Sequence, residues 1–231
     1  MAVIWGLDLR EIQWWKFKGS YMWNNEYHLR RTKFIVYQIA MIFCVVSESL
    51  GTAALSDYID QQDYVESRNP GTIFLHNDDF IGAASYNIFV GVFVATIFGA
   101  GFFFDLFWPE RHESRPVKLA WRICAILASI FALSTALTLT IIVATHEVGV
   151  TGPNKDRGKA EAKNRGLTPF EYRKNGRAIA SVVFIWPGFL GTVASTVFLW
   201  TSYAHNEKFG PKSTHARGEP SPKDVENVEM E

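Results

Sequence analysis

Three ionisable side chains, Glu48, Asp105 and Arg122, stand in otherwise apolar stretches of the sequence. A charge at hydrocarbon depth is costly unless it is paired or hydrated, so these residues are the first candidates for chemistry. Glu48 has no basic neighbour in sequence. It reads as a proton or cation site, a polar contact between helices, or a carboxyl bonded to Ser47 or Ser49 near an interface. Asp105 and Arg122 flank a short polar turn at similar depth, which predicts either an Asp105–Arg122 ion pair or two side chains that each snorkel toward the headgroups. Asp57, Asp60 and Asp63 recur every third residue, and His76, Asn77, Asp78 and Asp79 cluster. Oxygen ligands suit calcium, and His with Asp suits a transition metal. The spacing fits no metal-loop template, however, and a solvated acidic loop is the simpler reading. No metal or cofactor is expected.

Catalytic motifs fail one by one. His146 and Glu147 lack the second His of a zinc-protease helix. Gly158 and Lys159 lack the leading Gly and the following Ser/Thr of a phosphate loop, and no Gly-x-Ser-x-Gly elbow occurs. No catalytic residue is assigned, and the chain is not expected to be an enzyme. Lys and Arg together number 23 and so do Asp and Glu, so no net field favours nucleic acid.

The elements that must position these residues are hydrophobic. A bilayer core needs about 20 helical residues, and four runs qualify, at about 34–55, 81–108, 117–145 and 179–203. The expected fold is all-α: an integral membrane four-helix transmembrane bundle over 34–203. An aromatic, basic interfacial segment (1–33) precedes it and a disordered tail (204–231) follows. Gly91, Ala95 and Gly99, and likewise Ala128, Ala132 and Ala136, recur every fourth residue. Each set falls on one helix face and lets backbones approach, because lipid supplies no hydrophobic drive for helix association. Pro187 should kink the fourth span by removing a backbone donor. Thr168, Pro169 and Glu171 predict a capped helix start ahead of that span.

The two cysteines, Cys44 and Cys124, fall inside spans and read as packing residues. Trp5, Trp14, Trp15, Trp23 and Trp108 are expected as interfacial anchors, with Lys16 and Lys18 facing anionic lipid. The first flank carries Arg10, Lys16, Lys18, Arg30, Arg31 and Lys33, whereas the first connection is acidic. The bias places both chain ends in the cytosol, in the plasma membrane or an endomembrane. The basic third connection, at about 146–178, then lies on the far side, against that trend.

Four spans, cytosolic ends and a longer first outer loop resemble, at the level of architecture, tetraspan membrane organisers of the MARVEL and claudin-like type. The resemblance implies a scaffold, or an accessory subunit that contacts lipid, other membrane proteins or itself. The alternative is a small transporter or channel using Glu48, Asp105 and Arg122. A membrane enzyme built on outer-loop His and Asp residues is the third class.

Overall fold

Eleven buried positions on one long helix explain the architecture. Arg30, Lys33, Tyr37, Ala40, Cys44, Ser47, Gly51, Ala54, Tyr58, Gln61 and Val65 alternate in steps of three and four residues and face inward together. A 3.5-residue repeat keeps a seam turned to a neighbouring helix over its whole length. The computed structural model describes residues 3–4, 7–153, 156, 160, 167–214 and 216–218. Its elements are strands β1 (Val3–Ile4) and β2 (Leu7–Asp8), a short helix α1 (Gly19–Met22), α2 (Arg30–Arg68), strand β3 (Phe74–His76), α3 (Asp78–Phe107), α4 (Arg115–Thr145), strand β4 (Gly149–Thr151) and α5 (Gly176–Phe209). The helices α2 to α5 are each long and apolar enough to cross a membrane.

Helix α2 packs on α3 and α5, and α4 packs on the same two, so the four close a ring with each sequence neighbour adjacent. The other three helices repeat the seam with Asn87, Gly91, Val94 and Phe98 on α3, Ala125, Ala128, Ala132 and Ala136 on α4, and Ser181, Ile185, Gly188 and Ser195 on α5. Outside the seams the bundle is apolar: Ile42 on α2, Val92 on α3, Ile130 and Ile141 on α4 and Leu190 on α5 are more than half exposed. A belt of that extent in water would be a liability; lipid is its natural solvent.

Two helices, α2 and α5, run well past the apolar sequence at their C-terminal ends. α2 has 39 residues, about 58 Å of helix, roughly twice the hydrocarbon thickness. The stretch expected as an acidic loop is therefore helix to Arg68, with Asp57, Asp60 and Asp63 on it. Its buried stripe of Ala54, Tyr58 and Val65 packs under Ile73, Leu75, Val148 and Tyr172. Strands β3 and β4 pair antiparallel, Leu75 opposite Val150, and bind the first and third connections together above α2.

The expected helix start at Thr168 is also corrected. Residues 168–171 run alongside α2, where Gln61 Nε2 donates to the Thr168 carbonyl at 2.8 Å and the Tyr58 hydroxyl to the Pro169 carbonyl at 3.2 Å. The cap is Asn175, whose Oδ1 accepts from the amides of Arg177 and Ala178. α5 includes Pro187 without interruption and passes the expected end at 203 to reach Phe209. Gly210 ends it at φ 80, ψ 178, a conformation essentially open only to glycine.

The expectation of disorder from 204 is thus revised for its first part. His28 N donates to Pro211 O, and Ser213 N and Oγ donate to the carbonyls of Glu26 and Asn25, strapping the chain after α5 onto the segment before α2. Residues 215 and 219–231 lie outside the described residues, as does Trp5.

Candidate functional site

Among the described residues, the end of the bundle where α2 begins and α5 finishes holds the densest set of buried charges. α2 and α3 run antiparallel, so Lys33 near the start of α2 meets Asp105 near the end of α3, with Nζ to Oδ2 at 2.7 Å. The turn after α3 brings Arg111 back over the same carboxylate, Nη1 to Oδ1 at 2.9 Å. Arg111 Nε binds Glu113, and the other oxygen of Glu113 accepts from the Tyr203 hydroxyl of α5 at 2.8 Å. The side chains of Lys33, Asp105, Arg111 and Glu113 are only 10–16% exposed. Two cations and two anions close on one another, and three of the four helices are tied through them. Burial disfavours the Arg111 charge, but Asp105 and Glu113 override it and raise its pKa above the ordinary arginine value.

The expected Asp105–Arg122 pair does not form. Arg122 binds Glu207 of α5 at 3.1 Å and lies over the rings of Trp200 and Tyr203. The reason is rotational: Arg122 lies on the α5 side of α4, while Asp105 faces α2.

A cavity of about 210 Å³ borders this network, lined in part by His28, Lys33, Asp105, Arg111 and Tyr203. The His28 ring stacks on His205 at 3.6 Å between centroids. Burial, followed by the nearby His205, Lys33 and Arg217, lowers the His28 pKa from the ordinary 6.5 to about 4. A depressed histidine stabilises the fold above its unfolded value and loses that contribution as pH falls toward the folded one. We therefore expect the melting temperature in detergent to fall between pH 6.5 and about 4, and the fall to shrink in His28→Gln.

Lys16, expected to face lipid, is instead buried: its Nζ pairs with Glu11 and donates to the Phe107 carbonyl at 3.0 Å, a cation at the end of α3. The anchors differ in setting. Trp14 is 87% exposed and Trp15 about half exposed, while Trp23 packs on the core. Trp108 also packs there, and its Nε1 donates to Asp8 O at 2.9 Å.

At mid-bundle, Ser47 and Ser181 exchange reciprocal 2.8 Å hydrogen bonds from hydroxyl to carbonyl, and Asn87 Nδ2 reaches both hydroxyls. Of the small residues, Gly91 and Gly99 face Glu48 and Met41 on α2, and Ala95 is partly exposed. Ala128, Ala132 and Ala136 are fully buried. Sequence reasoning missed the close approach of α5 to α2: a Cβ at Gly188 would stand 2.8 Å from Cys44 Sγ, and one at Gly191 2.9 Å from the Ala40 nitrogen. The signal was present as small residues every seventh position, Ser181, Gly188, Ser195 and Ser202, all buried on α5.

Glu48 is partly exposed and lies across Gly91 in the groove between α2 and α3. Among the described residues nothing hydrogen-bonds or pairs with its carboxylate; only its backbone carbonyl is engaged, by Thr52.

At the opposite end, Asp79 accepts from the Tyr172 hydroxyl at 2.8 Å and meets His146 Nδ1 at 2.6 Å, while His76 bonds Thr151 and Asn77 bonds the Tyr58 carbonyl. Burial and the bond to Asp79 raise the Tyr172 pKa beyond the ordinary range. Arg177 binds both oxygens of Asp57 at 2.8 Å, so part of the basic third connection neutralises the acidic first one. Among the described residues no three His, Cys, Asp or Glu side chains converge as a metal site would require.

No protein-family model matches the sequence, and comparison with curated proteins and with solved structures likewise returns no match.

Proposed function

We propose that the protein is a multi-pass membrane protein acting as a scaffold or accessory subunit of a membrane complex, with a partner helix seated over Glu48. The observation that carries this reading is the Glu48 carboxylate, partly exposed within the apolar length of α2 and without a partner among the described residues. Such a group is costly in hydrocarbon, and a donor or cation on a neighbouring protein would satisfy it.

Transport is the rival use of the same residue. It is disfavoured by the layers between Glu48 and the charged end, where Tyr37, Val94, Phe98 and Ala132 are fully or almost fully buried. Asp105, the other candidate on such a path, is already bound by two cations.

Purification in mild detergent from the native membrane tests the proposal. The protein should elute with a stoichiometric membrane partner or as a defined oligomer, and Glu48→Ala should release it with the bundle still folded. Recovery of the unaltered protein as a bare monomer, or an assembly indifferent to Glu48→Ala, would refute it.

A further inference from the structure

The first two turns of α4 carry Arg115, Lys118 and Arg122, which with Leu119 and Glu207 line an open groove of about 540 Å³. Steps of three and four residues place the three cations on one helix face. Arg122 is held by Glu207, Trp200 and Tyr203. Among the described residues neither Arg115 nor Lys118 has an acidic partner. Three cations therefore face one carboxylate.

The same face continues down the helix as Leu119, Ile126, Leu133 and Leu137, spaced by seven and four residues and all exposed. A basic cluster directly above a lipid-facing apolar stripe is complementary to a molecule with an anionic head and aliphatic chains. We propose that this face of α4 binds an anionic phospholipid, with its phosphate on Arg115, Lys118 and Arg122 and an acyl chain along Leu119, Ile126 and Leu133.

The inference rests on the membrane reading but not on the scaffold role or on Glu48. Arg122 is the fixed member of the site, while Arg115 and Lys118 are free to close on the headgroup. The Glu207 carboxylate leaves the groove net positive, which selects against zwitterionic heads without demanding a multiply charged one.

Native mass spectrometry of the detergent-solubilised full chain, with phosphatidylserine and phosphatidylcholine of identical acyl chains added, tests this. The protein should retain phosphatidylserine about tenfold more than phosphatidylcholine, and Arg115→Gln with Lys118→Gln should abolish the preference. A control with Arg173→Gln and Lys174→Gln, exposed cations at the opposite end of the bundle, should keep it. Equal retention of the two lipids, or equal loss in the control, would overturn the site. Displacement by water-soluble glycerophosphoserine as effectively as by the whole lipid would overturn the acyl-chain contact and leave a free-anion site. A chain that stays folded in solution without detergent would fail at the earlier, membrane reading.

Discussion

Asp105→Ala will destabilise the folded bundle by about 3–5 kcal/mol, because it strands two buried cations. Lys33 and Arg111 both lose their carboxylate, and both side chains are nearly enclosed, at 10% and 12% exposure. Both line the adjoining cavity, and water reaching them there would offset only part of the cost. The matched control is Arg122→Ala. Its partner Glu207 is 46% exposed, so losing that pair should cost less than about 1 kcal/mol. Denaturant-induced unfolding in detergent, followed by circular dichroism, separates the two. Equal effects would mean that the network around Asp105 is hydrated and not the tie described above. Lys33→Met with Asp105→Leu should recover part of the loss even with Arg111 left in place, since an apolar pair of similar volume removes one buried charge of each sign.

Gly191→Leu should be comparably damaging for a different reason. The new Cβ would meet the Ala40 nitrogen at 2.9 Å and its Cα at 3.1 Å. These are backbone atoms that cannot swing aside, so α2 and α5 must separate, at about 1–3 kcal/mol or more. Separation would also pull apart the reciprocal Ser47 and Ser181 bonds. Gly82→Leu is the control, with open space around its Cβ position, and should unfold with the unaltered protein. A Gly191→Leu midpoint within error of that control would show that the two helices are not in the contact described.

The four spans were legible because length and apolar composition are local properties. Lipid demands uninterrupted helices, and the chain supplies them. The interior seams were less legible, since polar residues occupy their inward positions. Lys33, Ser47 and Gln61 look outward-facing by type, yet all three are buried on the seam of α2. Each binds a group distant in sequence: Asp105, the Ser181 carbonyl and the Thr168 carbonyl. Hydropathy alone cannot see such partners.

Asp105 was legible as a charge needing a counter-ion, but choosing Arg122 assumed that similar depth implies contact. Rotation about the helix axis decides contact, and it turns Asp105 toward α2. The acidic stretch after 55 read as a loop because its charges end the apolar run. Helix persists because Tyr58 and Val65 keep the inward period and the paired connections cover them.

The central claim is that the two ends of the bundle lie on opposite sides of a membrane. It is tested most directly by labelling single introduced cysteines with an impermeant maleimide in sealed vesicles. Cys44 and Cys124 lie within the spans and should stay silent. His112→Cys and Lys212→Cys mark one end; Asp60→Cys and Thr151→Cys mark the other, and all four positions are exposed. The account predicts that the first pair labels from one side only and the second pair from the other. Labelling of all four from the same side would contradict it.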